Sequence, residues 1–414
     1  MGDETQVRCR YFLSLWGIYS TTFINLLVYI PYLMNRKQRG DLVRNIIDQV
    51  RKQEFPYKER EKAKINWRDY DIAQCREIAD MINLIRELVD SAVKWIDVNT
   101  PAGPRGPGRP PKQASDIAKV LLLQSYFGVP NRVAEGLIYL FSEKLGLNEE
   151  FSYKTIERGY DRKSVDKILD IVFNLTNKPV RGLEKVFSID GSGTPTSVKQ
   201  NYAADRQRQN RKNPKGKGSS LNTCEDEILL NDNWPCSTFD SKHDYVYKVA
   251  VIGTKYKLFA GWNSATDHSI GETSMFPGVT AQAIENHPDM ETMLGDGVFA
   301  TRPICNFLGK YNVTPRFLPR RNVTLRARGS KEWVDMLWDL SENPQSWLRD
   351  YHMRSISESG YSMLTRANPG PLRKRLDSRK KTEDYLRGIC HNIKRLCYLT
   401  YLANIIPVSG WRGG

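Results

Sequence analysis

Val186-Phe-Ser-Ile-Asp-Gly-Ser-Gly193 is the stretch on which the fold turns: a short apolar run reaches Asp190, and Gly-Ser-Gly follows. A run of this length bounded by glycine reads as a strand. The arrangement recurs at Thr292-Met-Leu-Gly-Asp-Gly297, where Asp296 stands between two glycines. A carboxylate at the end of a strand and beside glycine keeps its oxygens open and lets another chain, such as a phosphate backbone, approach. Asp-Gly is also favoured in ordinary turns, so either aspartate alone has a purely structural reading. Between the two, residues 245–252 and 256–262 flank Gly253-Thr-Lys255 in the pattern of a hairpin. Helical periodicity returns over 331–366 and 382–406. The expectation is an α/β domain with a mixed sheet over 181–406, followed by a tail at 407–414.

A third acid falls in the helical part. Asn343-Pro344 places Pro at a first helical position and Asn368-Pro-Gly370 is a stop. The spacing predicts one helix of about 25 residues, roughly 37 Å long. Within it Tyr351, Arg354, Glu358, Tyr361 and Thr365 fall at i, i+3, i+7, i+10 and i+14, a single stripe. A solvated face would carry mostly Lys and Glu, and a core face mostly Leu. This mixture suits a surface laid along DNA, with Tyr351 and Arg354 toward the backbone and Glu358 toward a metal. Asp190, Asp296 and Glu358 are thus the candidate catalytic and metal-binding carboxylates, with Glu342 or Glu332 as the replacement third ligand. Three carboxylates suit two Mg2+ (or Mn2+) ions, which take oxygen ligands and retain exchangeable water. Such a pair activates an attacking water or 3′-hydroxyl and stabilises the leaving oxygen.

The rest of the chain constrains the partner. Its 414 residues allow two or three domains. Sixty-two Lys and Arg face 47 Asp and Glu, a net charge of +15, with a pI near 9.4. That excess implies a polyanion, either nucleic acid or an anionic membrane, and by itself would also fit a ribosome-associated protein. Residues 41–98 read as helical. Residues 99–113 are a Pro- and Gly-rich basic linker, whose Gly108-Arg109-Pro110 fits either a minor-groove arm led by Arg109 or a plain hinge. Residues 114–180 predict short helices: one capped by Ser115 and ended by Gly128-Val-Pro130, and a second with Val133, Leu137, Leu140 and Phe141 on its apolar face. One or two more are expected over 152–174. This is the pattern of a helix-turn-helix-like DNA-binding region.

Seven cysteines form no CxxC pair, which points to reduced thiols in the cytoplasm. Cys224, Cys236 and His243 fit no common zinc spacing. Within residues 1–40, Tyr11 to Met34 runs without a charge and is flanked by basic residues on both sides. Three readings stay open for it: a buried helix, an extension upstream of a start at Met34, or a membrane segment.

FSIDGSG, METMLGDGVFAT and YHMRSISESGY resemble the three catalytic blocks of DDE transposases from bacterial and archaeal insertion sequences. The last resembles that group's Tyr-x2-Arg-x3-Glu signature, met by Tyr351, Arg354 and Glu358. GRPPKQASDIAKVLLLQSYFGVPNRVAEGL resembles the DNA-binding region that precedes the catalytic domain, and Asp267-His268-Ser269 resembles another recurrent position. The resemblance covers about residues 62 to 406. It implies a ribonuclease-H-like fold, divalent-metal dependence, and cutting and joining of terminal inverted repeats to target DNA by a homo-oligomer on the nucleoid. The signature's usual Lys, seven residues after Glu, is Thr365 here, and Arg366 follows as the substitute cation. Basic runs at 199–217 (including Arg211 and Lys212), 303–331 and 366–381 suit phosphate contacts. The alternatives are a nuclease without strand joining, a non-catalytic DNA-binding protein derived from a transposase, and a basic membrane-anchored protein.

Overall fold

A computed structural model describes residues 34–56, 65–99, 112–147, 149–199 and 243–408. The expectations for the uncharged run after Tyr11, for Arg109 in the linker and for Arg211 and Lys212 in the basic loop lie outside the described residues.

Among the described residues five strands form one mixed sheet: β1 (Val186–Lys199), β2 (His243–Gly253), β3 (Phe259–Ala265), β4 (Thr292–Gly295) and β5 (Thr314–Phe317), in the order β3-β2-β1-β4-β5. β1, β4 and β5 pair in parallel, and β2 with β3 antiparallel as the expected hairpin. Before the sheet come α1 (Arg36–Arg51), α2 (Trp67–Asn99), α3 (Ala114–Phe127), α4 (Asn131–Leu145), α5 (Tyr153–Gly159) and α6 (Lys163–Asn177). Among and after the strands come α7 (Glu272–Asn286), α8 (Arg302–Gly309), α9 (Lys331–Glu342), α10 (Pro344–Tyr351), α11 (Ser355–Ala367) and α12 (Asp377–Leu402). Among the described residues no helix is long and apolar enough to cross a membrane.

The chain divides into two compact units, each gathered from separate segments. The first takes residues 34–56, Lys185–Ile189 and Met290–Ser355. Its centre is parallel pairing of Val186–Ile189 with Thr292–Gly295, and of Thr292–Gly295 with Thr314–Phe317. Gly295 is needed there: a Cβ would lie 2.9 Å from both Ile189 and Phe317. α1 starts with a capping box, Asn35 and Gln38 each bonding the other's backbone N–H. Arg39 anchors it: only 1% exposed, it donates to Ser341 at 3.1 Å and Glu342 at 3.0 Å and lies 3.6 Å over the Trp338 ring. A buried guanidinium is tolerated because it is paired in this way. Trp333 is buried, and Trp338 is 39% exposed beneath that guanidinium.

The second unit comprises the described residues of Ile65–Glu184, Asp190–Asp289 and Ile356–Gly414. One apolar core joins α2 to α6 with β2, β3, α11 and α12. Every residue of α3 from Asp116 to Gln124 is buried, so this helix runs through the core. Its start differs from expectation: Gln113 is the cap position and Ser115 lies inside the first turn. The apolar face of α4 is also corrected. Ala134, Ile138 and Leu145 are buried, and the expected Leu137 and Phe141 pack half-buried against the core, whereas Val133 is 51% and Leu140 74% exposed.

The long helix expected between Asn343 and Asn368 is interrupted. α10 ends at Tyr351, His352–Arg354 form a 3-10 turn, and α11 begins at Ser355. At the break the buried Ser188 hydroxyl donates to the Arg354 carbonyl at 3.0 Å, an external partner where the helix changes pitch. Tyr351 to Thr365 therefore do not form one continuous stripe, and the boundary between the two units falls after Ser355.

Candidate catalytic carboxylates

Asp190 departs from its expected setting. β1 does not stop there but continues to Lys199, so Gly191-Ser-Gly193 is extended strand and not a turn. What stops is the partner: pairing with β4 ends at Ile189 opposite Gly295. Asp190 is half-buried. Its carboxylate accepts from the Gly191 N–H at 2.9 Å and from the Ser357 hydroxyl at 3.3 Å, and its carbonyl accepts from the Tyr361 hydroxyl at 2.8 Å. Ser357 and Tyr361 sit one turn apart on α11, so both their side chains face β1. Glu358 follows Ser357 and is exposed on the same helix.

Tyr361 is a core ring and not a surface one. It is 9% exposed, and burial, with Asp190 adding to it, pushes its hydroxyl well above the ordinary tyrosine range. Gly191 makes room for two groups that sequence reasoning missed. A Cβ there would strike the Tyr247 hydroxyl and come within 2.7 Å of Glu272 Oε1. Tyr247 donates to Glu272, and burial and then that bond raise its own hydroxyl. Glu272 stands in the first turn of α7 and Tyr247 on β2. The glycine after Asp190 was the only sequence signal for either.

Farther along β1, Thr194 donates to Asp384 at 2.9 Å, and Lys248 pairs with Asp384 at 3.1 Å; both members of the pair are buried. Ser264 completes the group with a 2.7 Å bond to the other Asp384 oxygen. Burial lowers the Lys248 pKa against the pull of Asp384. This network ties β1, β2, β3 and α12 together behind Asp190.

Asp296 lies in the first unit. It follows the last residue of β4, is exposed, and its carboxylate accepts from the Gly297 N–H. Tyr351, 4% exposed, stacks on Trp347 at 5.2 Å, and the half-exposed Arg354 guanidinium lies 5.7 Å from its ring centroid. Burial raises the Tyr351 hydroxyl, Arg354 opposes the rise and Asp296 adds to it. The Tyr351 ring is thus packed within the fold and not offered on a surface. Arg354 keeps an exposed part, and Arg366, at the end of α11, is exposed.

The replacement ligands fare differently. Glu342 is engaged by Arg39 at 3.0 Å, and Glu332 packs over Gly309. Asp267-His268-Ser269 proves to be a turn: Asp267 accepts from the Ser269 N–H at 3.0 Å and hydroxyl at 2.7 Å, and His268 stacks on Tyr245 at 4.0 Å. Among the described residues no group of three or more His, Cys, Asp or Glu side chains is gathered so as to hold a metal ion. The four cysteines among them, Cys75, Cys305, Cys390 and Cys397, are free.

No protein-family model matches the sequence. The chain is similar to a transposase. Over 362 residues it is 24% identical to the probable transposase for insertion sequence element ISA1214 of Archaeoglobus fulgidus, a span of 86% of this chain and 95% of that protein. A similarity of that extent takes in segments of both units and supports a transposase function in general.

Proposed function

We propose that the chain is a DDE transposase that cuts and joins DNA at the ends of an insertion sequence, with Asp190, Asp296 and Glu358 as its metal-binding carboxylates. One observation carries the reading. The parallel register pairs Ile189 with Gly295, and the next residue in sequence after each is an acid, Asp190 and Asp296. A mixed sheet in the order β3-β2-β1-β4-β5 is compatible with a ribonuclease-H-like domain. Glu358 is the third acid because its neighbours Ser357 and Tyr361 bond directly to Asp190 while its own side chain stays exposed. All three present carboxylate oxygen only, the donor type Mg2+ and Mn2+ prefer.

When bound, two such ions supply Lewis-acid stabilisation of the attacking and leaving oxygens in an in-line phosphoryl transfer. The protein's own part is positional. Ser357 and the Gly191 N–H hold the Asp190 carboxylate in one orientation, the Tyr361 hydroxyl holds the strand beneath it, and Arg354 offers a cation to phosphate. Arg366 extends the cationic surface along α11, and the helices of 114–180 supply the DNA-binding region. The partner is double-stranded DNA, element ends and target, handled by a homo-oligomer.

The test is an end-labelled duplex carrying the terminal inverted repeats, incubated with purified protein and Mg2+. Nicked or joined products are expected from the wild type and none from Asp190→Asn, Asp296→Asn or Glu358→Gln, each of which should still bind. Binding without cutting under Mg2+ or Mn2+ would replace this reading with a non-catalytic DNA-binding protein.

A further inference from the structure

The second unit contains a cleft of about 800 Å³ that none of the three proposed carboxylates lines. α2, α3, α11 and α12 line it, and its walls combine rings with cations. Tyr70 and Tyr398 lie with centroids 5.4 Å apart, and Tyr126 and Phe127 lie 5.0 Å apart. Glu77 fixes three of the lining groups at once, accepting from Tyr126 at 2.8 Å, Tyr398 at 2.7 Å and Lys394 at 2.9 Å. The rings are therefore held in place before any ligand arrives, which lowers the entropy lost on binding. Arg366 and Arg395 join Lys394 on the wall against the single carboxylate of Glu77, a cationic excess. Arg366 is exposed, and among the described residues no hydrogen bond or ion pair engages it.

The cleft does not end there. A second hollow of about 330 Å³ shares Phe127, Ala367 and Asn368 with it and adds Arg373, Lys374 and Arg387. Arg366 lies eight residues beyond Glu358 on the same helix, roughly 12 Å along its axis.

We propose that this cleft binds a short unpaired stretch of DNA running from the reaction centre; it rests on the reading of the chain as an enzyme that opens DNA ends. Fixed aromatic faces in a concave wall serve bases that have left the stack, and neighbouring cations serve the phosphates between them. A duplex, about 20 Å wide, presents its phosphates and groove edges and not base faces, so it gains nothing from these rings. The cationic excess fits a polyanion and not an apolar helix. Ile78, 52% exposed at the cleft, supplies a point of entry for a test that leaves the core alone.

The experiment uses the full chain in EDTA and a fluorescein-labelled oligothymidylate of about 12 nucleotides, within the usual site size for such grooves. Anisotropy is read beside that of a duplex of equal length. Ile78→Glu and Arg366→Glu are each expected to lower the ratio of single-strand to duplex affinity about ten-fold, the first by setting a carboxylate beside the stacking rings and the second by replacing a phosphate-binding cation. 5-Iodouracil in the strand should crosslink to peptides containing Tyr70, Tyr126 or Phe127. An unchanged ratio in both variants overturns the proposal. So does an altered oligomeric state of Ile78→Glu with unchanged single-strand affinity, which assigns the cleft to protein docking. Because EDTA removes cutting from the assay, a chain that binds single strands through the cleft but never cuts upholds this inference and defeats the catalytic one.

Discussion

Asp190 and Asp296 carry one sequence signature, an apolar run before and glycine after, and the fold gives them opposite surroundings. Asp190 lies within a strand that continues to Lys199, half-buried, held by Gly191, Ser357 and Tyr361. Asp296 follows the last residue of β4, exposed, and accepts from its own neighbour's N–H. The first carboxylate is oriented by a helix more than 160 residues away in sequence, the second by the N–H of the next residue. An acid fixed by tertiary packing is vulnerable to changes far from it in the chain. An acid fixed by its turn answers only to local backbone.

The largest expected effect tests whether both acids serve one reaction. Asp190→Asn and Asp296→Asn should each reduce cleavage of labelled element ends by about 10³-fold or more, since a neutral amide cannot replace a carboxylate at a divalent cation. If either variant cuts at the wild-type rate, that aspartate leaves the proposed centre. The adjoining glycines separate the two settings by a smaller margin. A Cβ at Gly297 would lie 2.8 Å from the Leu318 carbonyl oxygen, which is backbone and has little room to retreat. Gly297→Ala should therefore lose about 1–3 kcal/mol in denaturant unfolding, the usual range for forced overpacking. A Cβ at Gly191 meets only the ends of the Tyr247 and Glu272 side chains, which can swing aside. Gly191→Ala should cost less than about 1 kcal/mol yet move Tyr247 from beside Asp190. Equal losses from the two alanines would erase the distinction. Tyr361→Phe removes one hydroxyl from the Asp190 carbonyl and should cost about 1 kcal/mol.

Much of this contrast was beyond sequence reading, for definite reasons. The strand runs around both aspartates and the hairpin at Gly253 follow from local periodicity, and they stand where expected. Asp190 as a strand end did not survive, because Gly-Ser-Gly is equally at ease extended and only a neighbouring strand decides which. The interrupted helix was hidden because Pro344 and Pro369 mark where helical pattern starts and stops, while the break at His352–Arg354 coincides with a bond from Ser188, remote in sequence. Tyr351 and Tyr361 read as surface rings since spacing shows which residues share a face, not what that face meets. Glu272 and Tyr247 had no motif of their own. On α4, Val133 and Leu140 outweighed Ala134 in hydrophobicity, yet the smaller residue faces the core.

Two carboxylates of the second unit extend the contrast to pH. At Glu157, burial favours the neutral form, but bonds from Lys374, Asn131 and Arg379 outweigh it and hold the carboxyl down at about 2, against an ordinary 4.5. At Asp166, burial acts with the nearby charges of Asp170 and Asp161, and the carboxyl rises to about 6 from 3.8. The signs are opposite. A depressed acid stabilises the fold above its unfolded value, so the Glu157 contribution is intact at neutral pH and is lost as pH falls from 4.5 toward about 2. A raised acid penalises the charged fold, so the strain at Asp166 is relieved as pH falls from about 6 to 3.8. Because Glu157 is partly exposed, its full shift is discounted to about 1 kcal/mol, or roughly 2–4 °C in melting temperature for a unit of this size. Glu157→Gln should lower the melting temperature at pH 7 by that amount and flatten the acid limb below 4.5. Asp166→Asn should raise it at pH 7 and flatten the profile between about 6 and 3.8. Melting curves from pH 2 to 8 measure both, and a downward shift at neutral pH in Asp166→Asn would show that this carboxylate is paired in the fold and not strained.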